Sequence, residues 1–248
     1  MASEHTTKAF DVDLQELSRL VSEMGGLAER QIVDSVDALV RRDVALGRQV
    51  VALDVDIDKL QHQIEERAVL TIARRQPMAV DLREIVGSLR VATDLERIGD
   101  LAKNIGKRVL AITGHMHPRR VMIGVQHMSD LALGQLNDVL DAYMSNDADV
   151  AAAVWARDGN IDALNNSLFR ELLTYMMEDP RSISSCAHLL FCAKNIERVG
   201  DHCTNIAETI HYLVTGEPLV GDRPKDDRSS FAIVEPRPAS AGEPEGSL

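Results

Sequence analysis

Apolar residues recur every three or four positions along most of the chain. Leu14, Leu17, Val21 and Met24 begin one stripe, and Leu82, Ile85, Leu89 and Ala92 begin another. This is the spacing of α-helices that turn one face to a core. Interruptions in the stripes predict six helices, at roughly 11–42, 44–75, 79–113, 119–145, 148–178 and 181–214. Pro77, Pro118 and Pro180 each stand just ahead of one of them, where a missing N–H costs nothing. Gly25 and Gly26 fall inside the first helix, at a point where it could loosen or bend. The first stripe begins only at residue 11, so residues 1–10 are expected to be flexible. Five of the eight prolines crowd residues 217–248 among Gly, Ser and scattered charge, a composition that predicts a disordered tail.

The pattern repeats. Residues 92–105 read ATDLERIGDLAKNI and residues 193–206 read AKNIERVGDHCTNI, identical at seven of fourteen positions with an offset of 101. Earlier in each half the offset is 104. There Asp34, Asp37, Asp54, Ile57, Asp58 and Leu60 match Asp138, Asp141, Asp158, Ile161, Asp162 and Leu164. The three-residue difference is absorbed near Pro77 and Pro180, between the second and third helix of each half. A duplication of this size predicts an all-α fold of two similar three-helix bundles related by a pseudo-twofold axis, 11–114 and 115–216.

The repeat carries a set of acids. Asp54 and Asp58, Glu96 and Asp100, Asp158 and Asp162, and Glu197 and Asp201 are pairs four residues apart, so each pair projects from one helix face. Like charges at that spacing repel by a few tenths of a kcal/mol on a free helix. A metal ion would remove the repulsion, and hard oxygen ligands suit magnesium, calcium, manganese and iron, with zinc also possible. Two other readings need no metal: solvated acidic faces, and ion pairs along the helix with Arg97 and Arg198. Gly99 and Gly200 precede the second acid of each motif and point to close helix packing or to clearance for a ligand. Asn104 and Asn205, four residues further on, are expected to support the carboxylates. His202 faces Leu101 across the repeat, and is expected at the surface or partly buried. Glu208 and His211 have the Glu-x-x-His spacing of di-iron bundles, but their counterparts are Lys107 and Leu110, which removes the second motif such a site needs.

Composition narrows the class further. Aromatic residues are 3% of the chain, which favours helices of Leu, Val, Ile and Ala over sheets. A formal net charge of -12 argues against nucleic-acid binding. Nothing approaches the ~20 apolar residues of a membrane span, and the first residues lack a signal-peptide pattern. Cys186, Cys192 and Cys203 sit inside apolar helical patterns without metal-finger spacing, as buried thiols of a reducing compartment would. A cytoplasmic location is expected.

The twice-occurring Glu-Arg-[Ile/Val]-Gly-Asp-x-x-x-Asn-Ile in a duplicated three-helix frame resembles the PhoU family over roughly residues 11–214. The resemblance implies paired three-helix bundles with multinuclear metal clusters. Asp54, Asp58, Glu96 and Asp100 would hold one, and Asp158, Asp162, Glu197 and Asp201 the other, with iron, zinc, manganese or magnesium as the ion. It also implies a non-enzymatic negative regulator, commonly a homodimer. Such a regulator links the ATPase subunit of a phosphate ABC transporter to a phosphate-sensing histidine kinase in the membrane. One departure is Asp rather than Glu at Asp54 and Asp158, which shortens the reach to a metal. The rival expectations are a carboxylate-bridged metal enzyme, which would need paired histidines, and a purely structural helical dimer.

Overall fold

The computed structural model describes residues 2–112, 119–157 and 159–220, with side chains from residue 10 onward. Helices fill it: α1 (Ala2–Arg41), α2 (Val44–Arg75), α3 (Val80–Ala111), α4 (Arg119–Ser145), α5 (Ala148–Trp155), α6 (Gly159–Glu178) and α7 (Ile183–Thr215), with a 3-10 turn at Pro180–Ser182 before α7. Among the described residues there is no strand. Residues 2–10, expected to be flexible, continue α1, because nothing in them breaks a helix. The tail expected to be disordered lies, from residue 221 on, outside the described residues, as does Pro118.

The predicted fifth helix, 148–178, is one rod in two pieces. α5 ends at Trp155 and residues 156–157 form a turn, shortly before Gly159 and Asn160, two residues that favour turns over helix interiors. Each half then forms a three-helix bundle. α1, α2 and α3 pack mutually, and α4 and α7 pack against each other and against both α5 and α6. The bundles meet through α3 on α7 and α1 on α4, so the apolar stripes merge into one continuous core.

The two halves are punctuated alike. The residues just after α1 and α4, Arg42 (φ 58°) and Asn146 (φ 54°), both lie in the left-handed region. The next residue caps the following helix: Asp43 Oδ1 accepts from the N–H groups of Ala45 (2.9 Å) and Leu46 (3.0 Å). Asp147 Oδ1 accepts from Asp149 and Val150, both at 3.0 Å. Each cap satisfies orphan donors of a first helical turn and contributes about 1 kcal/mol.

Glycines make the sockets between bundles. α1 runs as one helix through Gly25 and Gly26. A Cβ at Gly25 would lie 2.6 Å from Leu140 Cδ2 of α4, and one at Gly87 would collide with the Leu213 side chain of α7. Ser88 and Tyr143 share a hydrogen bond of 2.8 Å beside the same seam.

Candidate metal-binding acidic faces

In the first bundle the expected acids come from facing helices. Asp54 is buried on α2, and Asp58 is half-buried one turn on. Glu96 and Asp100 are half-buried on α3. Burial pushes the Glu96 carboxyl above its usual range; Asp100 adds to this, Arg97 opposes it, and Asp58 and Asp54 add further. The four carboxylates therefore share one electrostatic neighbourhood, as the repeat predicts.

A cation of the chain's own stands among them. Lys103 Nζ lies 2.5 Å from Asp54 Oδ2 and also hydrogen-bonds Asp100 Oδ1, tying α2 to α3. Arg97 is exposed and pairs along its own helix with Glu96 and Asp100, each at 3.5 Å. The helix-surface ion pair expected as an alternative to metal thus exists at Arg97. The stronger pairing was not anticipated. Its signal in the sequence was the position of Lys103, three residues past Asp100 and so on the same face.

In the second bundle Asp162 is buried on α6, Glu197 is buried on α7 with 4% exposure, and Asp201 is half-buried. Asp158 lies outside the described residues. Burial pushes the Glu197 carboxyl up to about 7, Lys194 opposes the shift, and Asp201 and Asp162 add to it. Lys194 Nζ stands 2.8 Å from Glu197 Oε2. Among the described residues, no group of three or more His, Cys, Asp or Glu side chains is drawn together at metal-ligand spacing. The donors fit a hard cation in kind. In the first bundle, however, the position between Asp54 and Asp100 is taken by an ammonium group.

The motif glycines serve packing. A Cβ at Gly99 would lie 2.8 Å from Ile57 Cδ1 and 3.1 Å from Gln31 Oε1. At Gly200 the distances are 2.8 Å to Ile161 Cδ1 and 3.3 Å to Gln135 Oε1. Gln31 and Gln135 are 104 residues apart and both buried, and sequence reasoning missed them. Gln31 Nε2 donates to the carbonyl of Val50 at 3.0 Å, and Gln135 Nε2 to that of Arg157 at 3.4 Å. Neither Oε1 has a hydrogen-bond partner among the described residues. Each instead lies against the space that a side chain at Gly99 or Gly200 would fill. The readable signal was a glutamine recurring at the repeat offset inside an apolar stripe.

The asparagines do not support the motif acids as expected. Asn104 is exposed. Asn205 Nδ2 donates to Asp94 Oδ1 at 3.3 Å, and His202 Nδ1 lies 2.8 Å from the same oxygen. Asp94 thus joins α3 to α7, and the partly buried His202 belongs to the seam between bundles. All three cysteines are buried and none forms a disulfide; burial pushes the Cys192 thiol up to about 12.

The chain is therefore an all-α double bundle with an acidic face between neighbouring helices of each half. It belongs to the PhoU family, whose PhoU domain matches residues 21–109 and again 125–210. It is 57% identical over 230 residues to the phosphate-specific transport system accessory protein PhoU homolog of Rhizobium meliloti (strain 1021), a match covering 93% of this chain and 97% of that one. The Caulobacter vibrioides (strain NA1000 / CB15N) homolog of the same name is 51% identical over 225 residues, covering 91% and 98%. Among solved structures, PhoU from Pseudomonas aeruginosa superposes with a TM-score of 0.80 at 38% identity, covering 84% of this chain and all (100%) of that one. The phosphate transport system regulatory protein PhoU from Streptococcus pneumoniae gives 0.79 at 28% identity, covering 85% and 99%. No described helix is long and apolar enough to cross a membrane.

Proposed function

We propose that this chain is an accessory regulator of phosphate uptake, acting by protein–protein contact rather than by catalysis. What supports this most directly is the duplicated PhoU domain together with relatives named as accessory proteins of phosphate-specific transport. In this reading it works in the cytoplasm as a homodimer. It couples the ATPase subunit of a phosphate ABC transporter to a phosphate-sensing histidine kinase and keeps phosphate-starvation genes off when phosphate is plentiful. Acidic helical faces suit basic patches on such partners, and their contacts weaken with salt. Deleting the gene should leave phosphate-starvation genes expressed in phosphate-rich medium. A copy ending at residue 220 should restore repression, since the repeated frame ends before it. Normal repression in the deletion strain would refute the assignment.

We further propose that the acidic faces take up hard or borderline cations: iron, manganese, magnesium or zinc. Asp54, Asp58, Glu96 and Asp100 would hold one group, and Asp158, Asp162, Glu197 and Asp201 the other. A bound cation would neutralise the carboxylates gathered around Glu96 and Glu197, whose proton affinity burial and neighbouring acids raise, and would cross-link the helices that carry them. Replacing Glu96, Asp100, Glu197 and Asp201 together with Ala should abolish metal uptake by the full chain, measured by elemental analysis after dialysis. Wild-type metal content in that variant would refute the metal reading.

A further inference from the structure

The two halves of the repeat place their lysines differently. Lys103 corresponds to Thr204, and Lys194 corresponds to Thr93, so lysine and threonine change places between the halves. The consequences differ. Thr204 Oγ1 bonds the carbonyl of Gly200 in its own helix at 3.0 Å, and Lys194 pairs with Glu197 of its own helix. Lys103 reaches across to the neighbouring helix and joins Asp54 of α2 to Asp100 of α3. Its side chain is 21% exposed against 42% for Lys194, so Lys103 is held inside the cluster rather than over its rim.

We propose that Lys103 is the built-in counter-cation of the first acidic face, so that a metal ion entering between α2 and α3 must displace its ammonium group. The competition rests on the metal reading given above; the residence of Lys103 does not. An ammonium group offers three donors and one positive charge, and no lone pair to a metal. It lies against two of the four carboxylates a metal would use, with Asp58 and Glu96 beside them. A divalent ion and this ammonium cannot share Asp54 and Asp100 without strong repulsion at such short range. A lysine amine is charged at ordinary pH, so it occupies the face as a cation and not as a ligand. The second face has threonine at the corresponding position, so the lysine placed at the centre of the first face is not repeated there.

The test uses the full chain with the second face silenced by Glu197→Gln and Asp201→Asn, with and without Lys103→Met. Thermal unfolding is followed in EDTA and then across a Mn2+ titration. In EDTA, Lys103→Met is expected to lower Tm by several degrees, because a buried carboxylate loses its partner. With Mn2+, Lys103→Met should regain that loss and bind at least about tenfold more tightly than its Lys103 parent. Lys103→Arg, which keeps the charge, should follow the parent. Should Lys103→Met fail to fold, Asp54→Asn/Lys103→Met, which removes both partners of the pair, is expected to fold with the Tm of the Lys103 parent in EDTA; a low Tm there would overturn the assignment of Lys103 as the partner of Asp54. An unchanged Tm for Lys103→Met in EDTA would overturn the residence of Lys103. Equal or weaker Mn2+ affinity would overturn the competition. Absence of Mn2+ binding by every protein, wild type included, would refute the metal reading and the competition with it. The melt in EDTA would still decide whether Lys103 closes the face.

Discussion

Gly106→Leu should destabilise the first bundle by about 3 kcal/mol, seen as a lower midpoint of urea unfolding at unchanged slope. Gly106 is buried on α3 against Gly47 and Val50 of α2. A Cβ there would lie 3.1 Å from the carbonyl oxygen of Gly47, 3.1 Å from Val50 Cγ1 and 3.3 Å from Val50 Cβ. A carbonyl oxygen inside a helix cannot swing aside as a side-chain terminus can. Relief therefore requires α2 to move as a rod, and that rod also carries buried Val50, Ile57, Leu60 and Ile64. The reciprocal contact is equally close: a Cβ at Gly47 would meet the Gly106 carbonyl oxygen and Val109 at 3.4 Å. Gly106→Ala is expected to cost far less. Its single methyl needs the neighbours to give by only a few tenths of an ångström, while alanine regains about 1 kcal/mol of helix propensity over glycine. Near-wild-type stability for Gly106→Leu would show that the two helices are not held at this distance. The corresponding residues in the second bundle are Ala151 and Ala207, both buried, so the repeat keeps small residues there even where glycine is not kept.

That pair shows where the sequence is legible and where it is not. Apolar stripes and prolines define helices, because helix periodicity is local and core burial reinforces it. The duplication then supplies the architecture, since two copies of a three-helix unit must bury similar faces. The acids are legible for the same reason: spacing of four on a helix fixes their common face before any tertiary contact is known. What the stripes do not contain is distance between helices. Whether Gly99 makes room for a ligand or for Gln31 and Ile57 depends on a neighbour that no local pattern names. The break in the fifth rod depends on competition between Gly159–Asn160 and the packing of α5 and α6. The partners of Lys103 and Asn205 likewise depend on which residue of a facing helix lies opposite. Asn205 sits four residues past Asp201, which suggests a bond within the motif, yet its side chain donates to Asp94 on α3. The repeat offset was an unused resource, since Gln31 and Gln135 recur at the same 104-residue spacing as the acids.

The second large effect expected is a loss of stability as pH rises, centred on Glu197. Burial raises its carboxyl to about 7 in the folded chain, from 4.5 when exposed. Below about 4.5 the group is protonated in both states, and its contribution to stability is fully present. Between 4.5 and 7 the unfolded chain releases the proton and the folded chain keeps it, so stability falls as pH rises. Above about 7 both states are ionised and the loss is complete. Its size is on the order of 3 kcal/mol, the shift converted at 1.36 kcal/mol per pKa unit. Glu197→Gln keeps the shape and removes the titration. In EDTA it should therefore match wild type near pH 4.5 and be the more stable protein at pH 8, by urea unfolding at both. Glu96, the counterpart in the first bundle, is also raised but is half-buried beside Lys103 and Arg97, so Glu96→Gln should gain much less at pH 8. A cation added to the second face at pH 8 should reproduce the gain of Glu197→Gln in the wild type, because it favours the ionised carboxylate that burial disfavours. Equal stability of wild type and Glu197→Gln at both pH values would mean that Lys194, 2.8 Å away, already compensates the burial. The second face would then carry its own cation as the first does.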